Sequence, residues 1–524
     1  MDDVSNYDLR LLGRVIGETS HTVALFTANR PPRVGEYVLI EYDDEDFALG
    51  IVEMSRIGNP LLTNRMLRPE VISRAESFGV EKHEYMIGQA RLLSWLNTLI
   101  RERKVEAPRY PPKPMARVFE ASGKILRKIF SLNNDGAWIR LGVLANHPDV
   151  PFYVNINTII SRHLAILAIT GAGKSNTVAV LTRRIVDELG GTVLIIDMHS
   201  EYEGVADNVN IVKPKINPSK LTLYEYYRLL NLEPKASKQR LYFRRAYTFA
   251  RYVTLKRPEE FFDVLISELE FYVDKGKYRE VRNGKIVSIE FSSRDRSPVI
   301  DLLNKLYDLR DRYWGTILTP TAPMELTSVI KPGHANVVQL GSFDEEVADV
   351  ITSHYLRRVL DERKRFRISG GSEGYPVALL TVIEEAHILV PKDRSTLTKE
   401  VVSRIAREGR KFGVGLCLVS QRPKNVDDNA LSQTNNKIIL RLVEPSDQRY
   451  VQAASETLSD ELLGLLPSLN VGEAVVLGLM TPLPAVVKID RAKGKIEGGD
   501  VKALEEWRRW RSRSDRDLYD DLGI

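Results

Sequence analysis

The sequence predicts an α/β fold in which a doubly wound parallel sheet carries a phosphate-binding loop. A small β-barrel is expected before the sheet and a helical insertion within it. Three observations support this prediction. A glycine-rich turn lies between an apolar run that begins at Ile166 and a helical pattern that begins near Val178. Further apolar runs, each ending in polar residues, occupy 192–196, 377–383 and 414–419. Continuous apolar runs are typical of buried parallel strands, whereas the short alternating runs between Leu12 and Val52 are typical of a barrel.

The glycine-rich turn has the composition of a loop that holds nucleotide phosphates. Gly171 and Gly173 permit a tight turn because they lack a Cβ atom, so backbone N–H groups can converge on an anion. Lys174 is placed to meet the β- and γ-phosphates of ATP, and Ser175 offers a hydroxyl to Mg²⁺. The strict pattern begins with Gly, and here Ala168 takes that position. The expected nucleotide contacts are Thr170, Gly171, Ala172, Gly173, Lys174, Ser175 and Asn176.

Two adjacent carboxylates follow the apolar run at 377–383. In a doubly wound sheet, the carboxyl end of that strand faces the phosphate loop. We assign Glu384 to Mg²⁺ and Glu385 to the water that attacks the γ-phosphate. A pair of glutamates at a helix start is otherwise explained by a favourable N-terminal charge.

Polar residues also end two other predicted strands. Asp197 follows the run at 192–196, and Gln421 follows the run at 414–419. Asp197 is a candidate acid behind the groups that contact the metal and nucleotide directly, or a ligand of a water molecule, and the amide of Gln421 is a candidate sensor of the γ-phosphate. A polar cap at a strand end explains either residue equally well.

A basic helical segment lies at 403–413, and its cations are Arg404, Arg407, Arg410 and Lys411. A solvated helix face would have the same composition. Ring-shaped ATPases, however, need an arginine that reaches the nucleotide of the neighbouring subunit. Arg407 and Arg410 are the candidates for that role.

With these motifs in place, the sequence resembles the HerA helicases of the HerA/FtsK superfamily. The motifs that carry the resemblance occur in the family's order and span most of the chain. They are the phosphate loop at 162–177, Asp-Met-His-Ser-Glu-Tyr at 197–202, the acidic strand end at 382–387, Arg-Glu-Gly-Arg-Lys-Phe-Gly at 407–413, Ser-Gln-Arg-Pro at 420–423 and Gly-Glu-Ala-Val-Val-Leu-Gly at 472–478.

The resemblance implies a RecA-like P-loop ATPase core in a homohexameric, ATP-driven translocase of double-stranded DNA. Such proteins work in archaea and some bacteria with the nuclease NurA in DNA end resection. The resemblance also implies the phosphate, Mg²⁺, acidic-pair and sensor roles given above. It adds Arg162 and Arg410 as arginines near the γ-phosphate. Ala168 and Met198 depart from the family pattern, and neither departure removes a chemical group.

Composition indicates an intracellular, cytoplasmic protein. The 524 residues include a single cysteine, Cys417, which excludes a disulfide framework and a cysteine-based zinc site. The acidic start does not resemble a signal peptide, and no apolar run approaches the roughly 20 residues needed to cross a bilayer. The formal charge of +5 is modest for this length, so any DNA contact must come from local clusters of cations.

The chain divides into three predicted regions. Residues 1–150 form the N-terminal barrel, which the resemblance identifies as the HAS-barrel type, completed by strands near 116–119 and 138–144. Residues 151–490 form the motor, with a helical insertion at about 216–332. Residues 491–524 form a C-terminal brace in which Trp507 and Trp510 contact an adjacent subunit. The resemblance implies that the barrel holds neighbouring subunits together, and the alternative for this region is that the barrel binds an oligonucleotide. The alternative for the tail is a surface that binds a partner.

Two segments are candidates for DNA contact. Lys392, Arg394 and Lys399 follow the acidic strand on a loop that would project into the centre of a ring. The segment 234–258 contains eight cations and no acidic residue, but its aromatic residues are more typical of a core. Solvated surface explains the loop cations equally well.

Three functional hypotheses remain open from the sequence. The first is a DNA translocase, and the second is an ATPase that moves or remodels protein, as other members of the superfamily do. The third is an assembly factor in which ATP is a structural switch. Stimulation of ATP hydrolysis by duplex DNA separates the first hypothesis from the second, and slow, unstimulated hydrolysis would favour the third.

Overall fold

The computed structural model describes residues 9–42, 46–62, 69–76, 79–130, 136–455, 457–493 and 503–508. These residues form a closed six-stranded barrel, an eleven-stranded sheet and a two-stranded hairpin, with helices packed around the large sheet. The predicted α/β class, with a barrel at the N-terminal end, is confirmed.

The barrel has its own small core. Its strands are β1 (Leu11–Val15), β2 (Val23–Ala28), β3 (Tyr37–Glu41), β4 (Phe47–Gly58), β5 (Tyr85–Trp95) and β6 (Arg117–Glu120), in the order β1-β2-β5-β4-β3-β6. β1 closes the ring by pairing with β6, so the barrel leaves no free strand edge. Alternate side chains such as Phe26, Ile40 and Val118 point inward and form a cluster separate from the main core.

The prediction that the strand near 138–144 completes the barrel is wrong. That strand, β7 (Trp138–Leu144), pairs antiparallel with neighbours in the large sheet. In the barrel, β5 takes the position between β2 and β4. β7 buries roughly alternate residues, as a barrel strand does, so its pattern does not identify the sheet it joins.

The large sheet contains most of the remaining strands. The remaining strands are β7, β8 (His147–Asn155), β9 (Leu164–Leu167), β10 (Val193–Asp197), β11 (Val209–Val212), β12 (Lys277–Arg282), β13 (Lys285–Glu290), β14 (Ala335–Gln339), β15 (Leu379–Ile383), β16 (Val414–Ser420), β17 (Asn436–Ile439), β18 (Glu473–Leu477) and β19 (Ala485–Ile489). Of these, β12 and β13 form the separate hairpin, and the others belong to the large sheet. The order in the sheet is β11-β14-β10-β15-β16-β9-β17-β18-β19-β7-β8.

The strands from β11 to β17 in that order run parallel, and the strands after β17 are antiparallel. The carboxyl ends of β9, β10, β15 and β16 therefore meet at one edge of the sheet. This edge, called the carboxyl edge below, is where ligands bind in open α/β sheets.

The described residues include fourteen α-helices with defined bounds. They are α1 (Pro69–Glu76), α2 (Gly123–Phe130), α3 (Ile156–Arg162), α4 (Lys174–Arg183), α5 (Leu223–Leu229), α6 (Ser237–Val253), α7 (Phe261–Lys275), α8 (Arg296–Tyr313), α9 (Glu345–Ile368), α10 (Ala386–Leu389), α11 (Leu397–Phe412), α12 (Asp428–Ser432), α13 (Pro445–Ala453) and α14 (Asp460–Leu465). Across these described parts of the chain, no helix is both long and apolar enough to span a membrane.

Helices α5 to α8, with the β12–β13 hairpin between α7 and α8, lie between β11 and β14 in the chain. Tyr242, Phe243, Tyr247 and Phe249 of α6 are buried, which agrees with a core role for these aromatic rings. Tyr252, by contrast, is 52% exposed.

The predicted C-terminal brace is described only at 503–508, where the chain is helical and Trp507 is exposed. Trp510 lies outside the described residues.

Candidate nucleotide site

The phosphate loop lies at the carboxyl edge, between β9 and α4. Gly171 and Gly173 have positive φ angles of 77° and 109°. A Cβ atom added to Gly171 would meet no heavy atom within 4 Å, so the backbone angle, and not crowding, favours glycine there. The N–H of Ala168 donates to the carbonyl oxygen of Ser420 at 3.2 Å. Residue 168 is thus the buried start of the loop, and the Gly-to-Ala departure leaves the two turn glycines in place.

Lys174 is held between the two predicted catalytic carboxylates. Its Nζ lies 2.5 Å from Oε1 of Glu385 and 3.4 Å from Oε2 of Glu384. The side chains of all three residues are largely buried. Burial lowers the pKa of Lys174, but the two carboxylates outweigh it and the net shift is upward. The site therefore holds a stable cation where the β- and γ-phosphates of a nucleotide are expected.

A third carboxylate lies beside the phosphate loop. The Ser175 hydroxyl donates to Oε2 of Glu201 at 2.8 Å, and the phenol of Tyr202 donates to Glu384. Burial raises the pKa of Glu384, while Lys174 opposes that shift. Glu201 and Tyr202 were assigned no role from sequence, although both lie in the motif at 197–202.

Asp197 organises the turn that presents these two residues. Its carboxylate accepts hydrogen bonds from the backbone N–H groups of His199 and Tyr202, each at 3.1 Å. Burial raises the pKa of Asp197, and these backbone N–H groups counteract it. Asp197 thus acts on the site by fixing the chain between β10 and Glu201.

Glu385 has an unusual backbone conformation at the start of α10. Its φ and ψ angles are 46° and 47°, the left-handed region that non-glycine residues adopt at a cost of about 1–3 kcal/mol. Oε2 of its carboxylate lies 3.2 Å from Nδ1 of His387. His387, for which the sequence pattern predicted no role, is therefore also part of the site.

Gln421 contacts the phosphate loop directly. The hydroxyl of Thr170 donates to Oε1 of Gln421 at 2.5 Å, which ties the end of β16 to the loop after β9. Asn176 is turned away from this contact, because its amide bonds the carbonyl oxygen of Asp490 and the N–H of Ala492. The side chain of Asn176 therefore anchors α4 to the chain after β19, and its backbone N–H is what remains for a nucleotide.

The three candidate arginines lie at the opposite edge of the sheet. Arg162 ends α3, just before β9, and Arg410 lies in the last turn of α11, just before β16. β16 spans seven residues, so about 20 Å separates its two ends. Arg407 is exposed and bonds the carbonyl oxygen of Ser403, whereas Arg410 is exposed and has no ion-pair partner among the described residues. None of the three is close to the phosphate loop of its own chain.

The predicted DNA-binding loop carries cations that already have partners. Lys392 pairs with Asp428 at 3.0 Å, and Arg394 pairs with Glu345 at 2.6 Å. Lys399 differs from these two. Its Nζ bonds Asp427 at 2.9 Å and also donates to the carbonyl oxygens of Pro391, Lys392 and Arg394. Lys399 thus fixes the shape of the loop, a role that the local sequence does not reveal.

Comparisons with known families match two successive parts of the chain. Residues 139–359 match the family described as "Helicase HerA, central domain", and residues 369–493 match "Helicase HerA-like C-terminal". Together these two regions include every strand of the large sheet except the start of β7.

Curated relatives cover nearly the whole chain. The DNA double-strand break repair helicase HerA of Saccharolobus solfataricus is 40% identical over 500 residues, which is 95% of this chain and 96% of that protein. The protein of the same name from Pyrococcus furiosus is 32% identical over 563 residues, 98% of each chain. Among solved structures, VirB4 of Thermoanaerobacter pseudethanolicus aligns with a TM-score of 0.50 and 18% identity, covering 69% of this chain and 99% of that one. This last likeness concerns the fold alone.

Proposed function

The chain belongs to the HerA helicase family and is an ATP hydrolase, and we propose that it acts as a homohexameric translocase of double-stranded DNA. Its relatives are named for the repair of DNA double-strand breaks, and we place this chain in the same process, with a NurA-type nuclease as partner. The observation that carries the proposal is the buried contact of Lys174 with Glu384 and Glu385 at the carboxyl edge.

The charges at this edge suit a nucleotide bound with Mg²⁺. Three carboxylates, those of Glu201, Glu384 and Glu385, lie around Lys174 and Ser175, and those of Glu384 and Glu385 are buried. Buried anions require compensation, and a divalent cation supplies it. Ser175 and Glu384 would hold the Mg²⁺, which would neutralise charge on the phosphate oxygens.

In the proposed reaction, each protein group has a separate task. Lys174 contacts the β- and γ-phosphates, and the backbone N–H groups from Thr170 to Asn176 form the cradle. Glu385 orients the attacking water, and Gln421 responds to the γ-phosphate through its contact with the loop.

Arg162, Arg407 and Arg410 support the proposal of a ring. All three lie about one strand length from the phosphate loop of their own chain, so a side chain from the same subunit does not reach it. An arginine at this edge can stabilise transition-state charge if a second subunit places its own carboxyl edge there. We therefore propose that Arg410, which lacks an acidic partner among the described residues, acts in trans, with Arg162 and Arg407 beside it.

The proposed substrate along which the motor moves is duplex DNA. Lys392 and Arg394 would contact DNA phosphates without sequence preference, so binding should be nonspecific and sensitive to salt. The alternative is that the same motor moves or remodels a protein.

One assay separates these two functions. ATP turnover is measured with and without linear duplex DNA, and with an unfolded polypeptide as the competing track. We expect duplex DNA to raise turnover and the polypeptide to leave it unchanged. The opposite pattern would overturn the DNA proposal and favour a protein substrate.

A further inference from the structure

His387 lies between the acidic pair and the end of β16. Its Nδ1 is 3.2 Å from Oε2 of Glu385 and 3.3 Å from the hydroxyl oxygen of Ser420. That hydroxyl oxygen also accepts a hydrogen bond from the N–H of Arg422 at 3.1 Å. The imidazole therefore lies between the carboxylate that follows β15 and the end of β16, the residue before Gln421.

Both neighbours of Nδ1 favour a hydrogen on that nitrogen. The carboxylate oxygen can only accept a hydrogen bond, and the hydroxyl oxygen of Ser420 can also accept one, so we assign the hydrogen to Nδ1. Burial lowers the pKa of His387, so the ring is neutral near pH 7 and has a single N–H. Oε2 of Glu385 is a buried oxygen that has no hydrogen-bond partner within the described parts of the chain, and Nδ1 of His387 lies 3.2 Å from it. His387 is the donor beside it.

Nucleotide binding makes this donor necessary. In the structure, Lys174 holds Oε1 of Glu385 at 2.5 Å. The proposed role of Lys174 is to contact phosphates, and a lysine that turns to phosphate holds the carboxylate less firmly. Glu385 also lies on a left-handed turn whose strain favours rearrangement. A second fixed contact would keep the carboxylate directed at the attacking water.

We propose that His387 is a positioning residue for ATP hydrolysis, whose Nδ1–H fixes Oε2 of Glu385 and couples it to the end of β16 at Ser420. This inference rests on the proposed role of Glu385. His387 acts through the carboxylate and does not itself contact the nucleotide.

Three substitutions test the position of the donor. In His387→Asn, the amide nitrogen stands as many bonds from Cα as Nδ1 does. In His387→Gln, the nitrogen is one bond further out, nearer the position of Nε2. His387→Ala removes the donor. We expect His387→Ala and His387→Gln to lower kcat about 10–100-fold, the scale seen when a group that orients a reacting ligand is removed. His387→Asn should recover most of the rate.

Binding and stability measurements separate positioning from simple damage. Affinity for MgADP, measured by titration, should stay within about twofold of wild type in all three variants, because His387 is assigned to Glu385 and not to the phosphates. His334→Ala is the matched control: it removes a half-buried imidazole that contacts a backbone carbonyl just before β14, at the other edge of the sheet. It should leave kcat unchanged.

Each outcome supports or overturns the inference. Wild-type kcat in His387→Ala, or equal kcat in the Asn and Gln variants, would overturn it. If His387→Ala does not fold, the Asn and Gln variants decide the matter once their melting temperatures are matched to wild type. The proposed function is tested separately by wild-type turnover and by Glu385→Gln. If those behave as expected and the His387 variants do not, only the positioning role fails.

Discussion

The same chemical pair, a lysine and a carboxylate, occurs in two very different settings in this molecule. At the carboxyl edge, the side chains of Lys174 and Glu385 are 13% and 4% exposed. Lys392, on the loop that follows α10, pairs with Asp428 at the start of α12, and their side chains are 48% and 58% exposed. The N–O distances are similar, at 2.5 Å and 3.0 Å.

Burial makes these pairs suitable for different tasks. Removing one member of a buried pair leaves an uncompensated charge and is costly, so Lys174 exchanges carboxylate for phosphate only when a ligand brings its own charge. An exposed pair contributes about 0–1 kcal/mol, so Lys392 can leave Asp428 for a DNA phosphate at little cost. The buried pair suits a specific site that rearranges only when nucleotide binds. The exposed pair suits contacts with DNA that form and break at every step of a motor.

The largest effect should come from Arg410, which belongs to neither setting because it is exposed and has no acidic partner among the described residues. We expect Arg410→Ala to lower ATP turnover by about 10³–10⁵, the range for arginines that act in trans. Nucleotide affinity should change little. Arg404→Ala, on the same helix, is the control: Arg404 pairs with Asp361 and Glu408 of its own chain, and turnover should stay near wild type.

Mixing subunits shows whether Arg410 acts across an interface. Arg410→Ala and Glu385→Gln subunits are each expected to be inactive alone. In mixed rings, some interfaces combine an intact Arg410 with an intact Glu385, so activity should partly return. Mixed rings that stay inactive, with subunit exchange verified, would place Arg410 in its own site or require all sites to act together. A titration with wild-type subunits distinguishes these cases, because strict cooperativity gives a steep loss with the first mutant subunit.

The second largest effect tests whether the buried setting is catalytic. Glu385→Gln keeps the shape of the side chain and removes its charge. We expect turnover to fall by a factor on the order of 10² or more, with ATP binding retained, because a general acid–base group is worth about 10²–10⁴. Single-turnover kinetics measure the chemical step directly. Near-normal turnover would contradict the role assigned to Glu385.

The same comparison shows what the sequence could and could not predict. The phosphate loop and the acidic pair each lie within a short stretch where a strand meets a turn, so local spacing was enough to locate them. No local pattern predicted a role for Tyr202, because its contact with Glu384 depends on β10 lying beside β15 in the sheet. The loop cations were predicted to contact DNA, and the sequence did not reveal their acidic partners, because Glu345 and Asp428 are distant in the chain.

The placement of β7 failed for a related reason. A half-buried strand shows which of its faces is apolar, but not which sheet covers that face. His387 lies three residues from Glu384, and no role was predicted for it, because its importance depends on Ser420 at the end of the adjacent strand. Contacts between neighbouring strands are thus the part of the site that local pattern cannot supply.

A smaller effect is expected on nucleotide binding. Lys174→Ala removes the buried cation, and hydrogen bonds to charged groups contribute about 1.5–3 kcal/mol. MgADP affinity should therefore fall about 10–100-fold, as measured by titration calorimetry. The carboxylates of Glu384 and Glu385 would then lack their cation, so the melting temperature is followed in parallel. Unchanged affinity in a folded variant would argue against the phosphate cradle.

The smallest effect concerns the exposed setting, where a cation and its acidic partner should act in opposite directions. Lys392→Ala removes a cation that would face DNA, so duplex affinity should fall modestly. The slope of log K against log salt should decrease by about 0.9 for each DNA phosphate that the variant no longer neutralises. Asp428→Asn releases Lys392 from its partner, so affinity should rise at low salt. Fluorescence anisotropy of a labelled duplex at several salt concentrations measures both changes.

The control for this test is Lys277→Ala. Lys277 is also half exposed and ion-paired, with Glu290 at 3.3 Å, but lies on the β12–β13 hairpin. If only the overall positive charge matters, DNA binding will weaken equally in the Lys277 and Lys392 variants. That result would show that Lys392 makes no specific contact with DNA. Weaker binding confined to Lys392→Ala, with tighter binding in Asp428→Asn, would instead show that the in-chain pair competes with DNA. Lys392 would then be paired with Asp428 in the absence of DNA and with a phosphate in its presence. The strength of the ion pair would limit the affinity of the protein for duplex DNA.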